Sequence, residues 1–370
     1  MNEEIHRKLV NLTFKKDYCS DTLIEIAGRV FEASQESICM TNPNGKITYV
    51  NPAFTRTTGY FPEDILGKNP RILQSGRHKV AFYRSMWKDL IEKGQWQGEI
   101  WNKRKNGQIF PEWMSIHAVY DEASMLTNYV AIFRDITEDM EMRREVELAG
   151  RIQKGLLMPD FNKDELMLKS LYFPYTHLSG DYYDYRWNEA KKNLRGFLFD
   201  VMGHGIATAL QVSALRVLYR QVMEKELSLP EKMKWLNNEC ISILPDDFFA
   251  GGILFHIDLV KRQIHFVMAG INHFLLCSGK GLGLKVVSKP GLFLGISEDE
   301  EFEEHECSFE PGDGAIFLTD GFFDRIQEKN LALDKMNVSS MMNLLNSPSF
   351  TQELLDDATA LGFMRPREGD

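Results

Sequence analysis

A stretch without proline, residues 137–157, divides this chain into two halves with different patterns. Charged residues alternate along it, and apolar residues recur at steps of three or four: Met142, Val146, Ala149, Ile152 and Leu156. This spacing predicts one helix with a narrow apolar seam. The helix either lies on its own domain or forms a short parallel coiled coil between two protomers. The length of 370 residues also suits two domains and a connector.

The composition excludes several classes of protein. There are 43 Lys and Arg against 53 Asp and Glu, so the net charge is −10 and we expect no nucleic-acid partner. No run approaches the ~18 apolar residues that span a bilayer, and the N-terminus does not look like a secretory signal. The five cysteines form no CxxC pair, which argues against disulfides and a cysteine zinc site. We expect a cytoplasmic protein with no membrane association.

Short alternating runs fill the first third of the chain. Residues 37–41 and 46–50 flank a turn signal, Asn42 to Gly45, and predict a hairpin. Residues 78–93 carry a helical apolar stripe. Three further runs predict strands: 96–102, 109–120 and 128–135. The pattern indicates a small, mostly antiparallel sheet with helices on one side.

Two apolar strands in the second half each end in an aspartate. Residues 196–199 lead into Asp200, and residues 315–319 lead into Asp320. Between them, residues 207–223 predict a long helix. Four runs predict an antiparallel meander: 252–258, 263–269, 273–278 and 283–288.

Carboxylates thus recur where a ligand site would need them, at Asp181, Asp184, Asp200, Asp320, Asp356 and Asp357. Mg²⁺ and Mn²⁺ prefer oxygen ligands, and a pair of such ions can activate water and steady a leaving oxygen. Aspartate before glycine is also ordinary turn chemistry. The prediction of a metal centre therefore depends on the fold bringing these residues together.

The segment Gly203-His204-Gly205 opens the predicted long helix. Backbone N–H groups at a helix start attract anions, and glycine lets a phosphate approach closely. His204 is either an acid or phosphate contact, or a structural turn residue.

Residues 149–364 resemble the SpoIIE-type, or sigma-regulator, branch of the PPM class of metal-dependent serine/threonine protein phosphatases. The matching motifs are SGDYYD from Ser179, DVMGHGIATAL from Asp200, FLTDGFFD from Phe317 and DDATALGF from Asp356. The resemblance implies an αββα sandwich with two Mn²⁺ or Mg²⁺ ions between its sheets. The sequence departs from the family at 269–273, where AGINH replaces AGHPP.

Carried over position by position, the resemblance implies catalytic, metal-binding side chains at Asp181, Asp200, Asp320 and Asp356. The Val201 carbonyl would add an oxygen ligand, and Asp200 would bridge both ions. Activated water would then attack the phosphorus in line, with metal charge stabilising the phosphoryl oxygens. Residues expected to support these ligands or to contact the phosphate are Asp184, Gly203, His204, Gly205 and Asp357.

Residues 25–137 resemble a PAS domain, through Gly45-Lys46-Ile47, Gly67-Lys68-Asn69 and Asp135-Ile136-Thr137 among other matches. Residues 67–74 are also similar to the flavin-binding helix of LOV domains. Pro70 replaces their photoactive cysteine, which excludes a cysteinyl-flavin photocycle. The resemblance implies pocket residues Asn69, Arg71, Gln74 and Asn102. A flavin is one predicted ligand, haem at His78 is a weaker one, and a PAS domain that acts through dimerisation without these cofactors is the leading alternative.

We therefore expect a two-domain protein of α+β and α/β type. Its parts are an N-terminal helical segment (1–24), a PAS domain (25–137), a helical linker (138–160) and a PPM domain (161–366). The resemblance implies a homodimer that dephosphorylates a STAS-type anti-sigma-factor antagonist in a partner-switching pathway. A catalytically weak adaptor that binds the antagonist is the alternative. A diguanylate cyclase or histidine kinase output is disfavoured, because neither a GGDEF-like motif nor a kinase nucleotide box is found.

Overall fold

The computed structural model describes residues 20–203, 205–245, 249–279, 283–298 and 300–367. The chain divides into two compact units, one ending at Arg143 and the other beginning at Arg144. Most of the predicted segment 1–24 lies outside the described residues. Its described end belongs to helix α1 (Ser20–Ala33).

The first unit contains one antiparallel sheet in the order β2-β1-β5-β4-β3. Its strands are β1 (Ser37–Thr41), β2 (Ile47–Val50), β3 (Gln95–Lys103), β4 (Ile109–Tyr120) and β5 (Leu126–Asp135). Between β2 and β3 lie helices α2 (Pro52–Thr58), α3 (Pro62–Ile65) and α4 (Val80–Lys93), with a 3₁₀ turn at Pro70–Leu73. The predicted strands and the predicted long helix are therefore present, within a few residues at each end.

Local signals in the sequence explain these boundaries. Gly45 has a φ of 68°, which suits the hairpin turn between β1 and β2. The Asn51 side chain caps α2 by accepting a hydrogen bond from the Phe54 backbone N–H. Phe54 is fully buried and packs edge-on against Phe133 of β5. The core of this unit thus lies between the helices and one face of the sheet.

Helix α5 (Thr137–Gly155) is the predicted linker helix. Much of its apolar seam is exposed to solvent, with Met142 at 67% and Ile152 at 58% of full exposure. Gln153 is its buried residue in the described structure. The helix therefore contributes more surface than core.

The second unit contains two antiparallel sheets. One has the order β14-β11-β10-β9-β8 and the other β13-β12-β15-β16-β7-β6. The first comprises β8 (Asp181–Asn188), β9 (Asn193–Val201), β10 (Ala250–Asp258), β11 (Gln263–Ala269) and β14 (His305–Ser308). The second comprises β6 (Phe161–Lys163), β7 (Leu166–Phe173), β12 (His273–Cys277), β13 (Leu284–Ser288), β15 (Gly314–Leu318) and β16 (Ala358–Met364).

The prediction of one continuous meander is wrong in its topology. Strands β10 and β11 pair within one sheet, but β12 and β13 belong to the other. The chain crosses between the sheets at Gly270, whose φ is 74° and whose missing Cβ leaves room for the Phe293 ring. Strand spacing alone cannot report such a crossing, since the connection from β11 to β12 is as short as the turns within each sheet.

Helices cover the outer faces of the two sheets. Helices α6 (Ile206–Met223) and α7 (Leu229–Ile243) pack on the first sheet around Phe197, Tyr219 and Leu236. The second sheet is covered by α8 (Asp320–Glu328), α9 (Val338–Leu345) and α10 (Pro348–Thr351). A third core, including Phe255 and Phe317, lies between the sheets. The layer order is therefore helix, sheet, sheet, helix.

Among the described residues, no helix is both long enough and apolar enough to cross a membrane.

Candidate metal centre

Two of the predicted aspartates face each other across neighbouring strands. Asp181 begins β8 and is the direct cross-strand partner of Asp200, near the end of β9. Because side chains alternate along a strand, Asp200 shares a face with Leu198, which belongs to the core between the sheets. Both carboxylates therefore lie on the inner face of the first sheet.

The second sheet supplies the other aspartates. Strand β15 ends at Leu318, Thr319 is the N-cap of α8, and Asp320 is the first residue of that helix. Asp356 and Asp357 directly precede β16, which pairs with β15. The Thr319 hydroxyl donates a hydrogen bond to Oδ2 of Asp181 at 2.8 Å, so the two sheets meet at this point.

The electrostatics of the cluster are those of crowded negative charges. Asp181 is fully buried, and its Oδ1 has no hydrogen-bond partner. Burial raises the pKa of Asp181 well above its ordinary value, and the nearby charges of Asp357 and Asp320 raise it further. Burial also raises the pKa of Asp200 strongly, with added repulsion from Asp181, Asp320 and Asp356. The structure therefore brings Asp181, Asp200, Asp320 and Asp356 into mutual electrostatic range.

Asp200 and Asp320 affect each other's ionisation directly. A hydrogen bond between their side chains raises the pKa of Asp200 and opposes the rise in the pKa of Asp320. Burial is the main cause of the raised pKa of Asp320, and the charge of Asp356 adds to it. A positive ion among these carboxylates would relieve their mutual repulsion.

The donor set suits a hard divalent cation. It consists of carboxylate oxygens, one of which is buried without a partner, and Mg²⁺ and Mn²⁺ favour such ligands. Within the described parts of the chain, no three histidine, cysteine, aspartate or glutamate side chains are already arranged around one ion position. The residues fit such an ion by the chemistry of their donor atoms.

Glycines keep the backbone close around this cluster. A Cβ on Gly180 would lie 2.4 Å from the carbonyl oxygen of Val201, which is the predicted backbone ligand. Gly203 and Gly205 both have a φ of 94°, and Gly205 is the N-cap of α6. These two glycines therefore adopt backbone conformations that other residues avoid. His204, predicted as a phosphate contact, lies outside the described residues.

Asp357 supports the neighbouring backbone. One of its oxygens accepts a hydrogen bond from the Gly180 N–H and the other from the Tyr175 N–H, both at 2.7 Å. Asp357 therefore fixes the loop that leads into Asp181. Its role in supporting a metal ligand stays a prediction.

Asp184 does not join the cluster, contrary to its predicted supporting role. It lies three residues after Asp181 on the same strand, so its side chain points to the opposite face of the sheet. There it pairs with Arg220 of α6, at 2.9 Å from Nη2. Asp184 is therefore buried in the contact between the sheet and helix α6, and not in the metal centre.

Two supporting residues are absent from the sequence-based prediction. Thr319 orients Asp181 through a hydrogen bond. The feature of the sequence that could have indicated this role is its position immediately before Asp320 in the TDG motif. Gln153 hydrogen-bonds both backbone groups of Ser179. Nothing in its local sequence marks it, because its partner Ser179 is 26 residues away.

A cavity of about 400 Å³ opens beside the cluster. Its wall includes Asp200 and Asp320. It also includes Asn272 and His273, which belong to the AGINH segment that differs from the family's AGHPP. The His273 ring stacks on Phe323 with 4.3 Å between ring centroids. Asp200 and Asp320 are therefore reachable from this cavity.

A larger cavity, of about 490 Å³, lies inside the first unit. The four predicted pocket residues, Asn69, Arg71, Gln74 and Asn102, all line it, with mostly apolar neighbours. His78 instead accepts a hydrogen bond from the Trp101 backbone N–H at 2.9 Å, which is a structural role.

Comparison with known protein families assigns both units. Residues 35–138 match the PAS domain family, and residues 190–363 match the family of Stage II sporulation protein E (SpoIIE). The chain contains a PAS domain followed by a SpoIIE-type PPM domain. The predicted fold classes of both domains are thereby confirmed.

Each of the curated relatives matches part of the chain. The nitrogen fixation regulatory protein of Klebsiella pneumoniae is 34% identical over 126 residues, which is 34% of this chain and 26% of that protein. The phosphoserine phosphatase RsbP of Bacillus subtilis (strain 168) is 31% identical over 192 residues, which is 50% of this chain and 46% of that protein. The chain thus spans about half or less of the length of these curated relatives.

Among solved structures, the SiaA-PP2C domain of Pseudomonas aeruginosa is similar to this chain, with 18% identity and a TM-score of 0.49. The similarity covers 62% of this chain and 99% of that domain.

Proposed function

We propose that this chain is a metal-dependent protein phosphatase that hydrolyses phosphoserine or phosphothreonine in a protein substrate. The observation that carries the proposal is the buried cluster of mutually repelling aspartates, with an unpartnered oxygen on Asp181. Its occurrence in a SpoIIE-type domain supports the reaction, since the similar RsbP protein is named a phosphoserine phosphatase.

We assign the ligands of two Mn²⁺ or Mg²⁺ ions to Asp181, Asp200, Asp320, Asp356 and the Val201 carbonyl. When bound, the ions supply an activated water and positive charge for the phosphoryl oxygens. The chain's own residues prepare the site: Thr319 holds Asp181 through a hydrogen bond, and Asp357 holds the Gly180 backbone. Gly203 and Gly205 present no side chain near the start of α6.

The proposed substrate is a phosphorylated STAS-type antagonist of an anti-sigma factor. Its dephosphorylation frees a sigma factor through partner switching. The resemblance of residues 149–364 to sigma-regulator phosphatases is the basis of this assignment, and the similar RsbP protein is named a phosphoserine phosphatase. The cavity containing His273 and Asn272 offers a surface for the residues around the phosphoserine. A cytoplasmic location belongs to the same proposal, because sigma factors act there.

The PAS domain is proposed as the sensor that regulates this activity. Its cavity is lined by Asn69, Arg71, Gln74 and Asn102, which supports binding of a small molecule such as a flavin. An absorption spectrum of the purified protein tests this, because a bound flavin absorbs near about 450 nm. A spectrum with protein absorption alone would contradict the binding of a flavin.

Dimerisation through the exposed seam of α5, which includes Met142 and Ile152, is the proposed means by which the PAS domain regulates the second domain. Light scattering of the purified chain measures its oligomeric state.

The competing function is an adaptor that binds the antagonist without turnover. A phosphopeptide assay with Mn²⁺ separates the two, because the phosphatase releases phosphate in proportion to time and the adaptor does not. Asp200→Asn and Asp320→Asn should each abolish release. Phosphate release that persists in both variants, or under strong chelation, contradicts the metal-dependent reaction.

A further inference from the structure

Gln153 is unusual on helix α5. The helix is largely exposed, yet Gln153 has only 5% of its surface accessible and is the residue that this helix buries in the described structure. Burying an amide rather than an apolar side chain is unfavourable unless its polar atoms are hydrogen-bonded. The contacts of this amide therefore explain why the residue is there.

The Gln153 amide forms hydrogen bonds with both backbone groups of Ser179. Its Nε2 donates to the Ser179 carbonyl at 2.8 Å, and its Oε1 accepts from the Ser179 N–H at 3.0 Å. The Tyr172 hydroxyl donates to the same Oε1 at 3.2 Å. The paired bonds fix both the position and the orientation of Ser179, as a neighbouring strand would.

From Ser179 the constraints continue to Asp181. The Ser179 hydroxyl accepts a hydrogen bond from the Asp181 N–H at 3.1 Å. Between them, the Gly180 N–H is held by Asp357. The backbone of Asp181 is thus fixed from two directions, and one of them begins at α5.

The helix backbone itself also contacts this loop. A Cβ added to Gly150, one turn before Gln153, would lie 1.9 Å from the carbonyl oxygen of His177. The helix therefore approaches the loop so closely that only glycine fits. Gln153 and Gly150 together determine where the helix sits on the segment that leads to Asp181.

We propose that Gln153 is a positioning residue for the metal centre, acting through Ser179 on Asp181. The inference rests on the proposed function, because it assigns Asp181 as a ligand. Residues that orient metal ligands typically contribute about 10–100-fold to metal affinity or activity. Gln153 should contribute on that scale without touching either the ions or the substrate.

The test compares Gln153→Ala and Gln153→Glu with the control Ile152→Ala. Ile152 is the preceding residue on the same helix and is 58% exposed. Glutamate keeps the size of the side chain but removes the donor to the Ser179 carbonyl. Mn²⁺ affinity is measured by calorimetry in the full chain, and kcat and KM are measured with a phosphopeptide.

Both Gln153 variants should bind Mn²⁺ about 10–100-fold more weakly, with an unchanged KM for the phosphopeptide, and excess Mn²⁺ should restore much of the kcat. Ile152→Ala should match the wild type. A Gln153→Glu protein that is folded and keeps wild-type Mn²⁺ affinity overturns the inference. If Gln153→Ala does not fold, Gly150→Ala is the second variant, and the same loss of Mn²⁺ affinity is expected from it. A wild-type protein with neither Mn²⁺ binding nor phosphatase activity instead overturns the proposed function, and this inference with it.

Discussion

Replacing Glu112 with glutamine should make the stability of the PAS domain less dependent on pH. Glu112 lies on β4 and is fully buried. Its Oε1 accepts a hydrogen bond from Asn102 at 2.7 Å, while its Oε2 has no partner. Burial raises the pKa of Glu112 from its ordinary 4.5 to about 8, although the Asn102 hydrogen bond opposes the shift. Glutamine has the same shape and does not titrate.

The size of the effect follows from the two pKa values. The unfolded chain releases this proton near pH 4.5, whereas the folded chain keeps it until about pH 8. The contribution to stability is therefore complete below pH 4.5, declines as the pH rises, and is lost above pH 8. Each pH unit within this window costs about 1.4 kcal/mol. Raising the pH from 6 to 8 should thus lower the free energy of unfolding by roughly 2 kcal/mol in the wild type through this group alone.

The assay is urea unfolding of the full chain, with hydrogen exchange of peptides from β4 and β5 as the report on this domain. Wild type and Glu112→Gln are compared at pH 6 and again at pH 8, so that the other titrating groups cancel. From pH 6 to pH 8, the free energy of unfolding of the variant should rise relative to that of the wild type by roughly 2 kcal/mol. A difference between the proteins that is equal at both pH values refutes the reasoning.

Three further predictions concern the second domain. Asp200→Asn and Asp320→Asn should each raise the melting temperature in a chelator while abolishing turnover, because each removes one of the facing negative charges. A lower melting temperature contradicts this. Gly321→Ala should cost about 1–3 kcal/mol in urea unfolding, since its Cβ would lie 2.1 Å from the Asp357 carbonyl oxygen. Gly155→Ala is the matched control, because nothing lies within 4 Å of its added Cβ. Arg220→Ala should cost about 1–3 kcal/mol by leaving Asp184 buried without its partner, yet calorimetry should show unchanged Mn²⁺ affinity.

The sequence predicted the elements that local chemistry determines. The run before Asp200 and the run before Asp320 are both strands, and the segment after Gly205 is a long helix. Alternating apolar residues and glycine turns are sufficient for this, because they act over a few residues. The resemblance added the order of the motifs and, with it, the expectation that four aspartates meet.

Properties that depend on distant contacts were not predictable in the same way. The move of β12 into the second sheet depends on Gly270 and on the ring of Phe293, which is far along the chain. The buried Gln153 is indistinguishable in sequence from an exposed helical glutamine, because its partner Ser179 is 26 residues away. Asp184 could have been placed correctly, since strand alternation separates it from Asp181. Its supporting role was predicted from its place in the SGDYYD motif, without regard to the alternation of side chains along the strand.

Strand β8 lies at the edge of its sheet, laddered to β9 and to no strand on its other side in the described structure. Edge segments open locally at a lower free energy than the interior of a sheet. The first aspartate of the proposed centre, Asp181, therefore lies on a strand that can detach while β9 and β10 remain paired. Amide protection along β8 should then be lower than along β10, and it should rise when a divalent cation joins Asp181 to Asp200. The cation would then hold the edge strand in place, in addition to its proposed part in the chemistry.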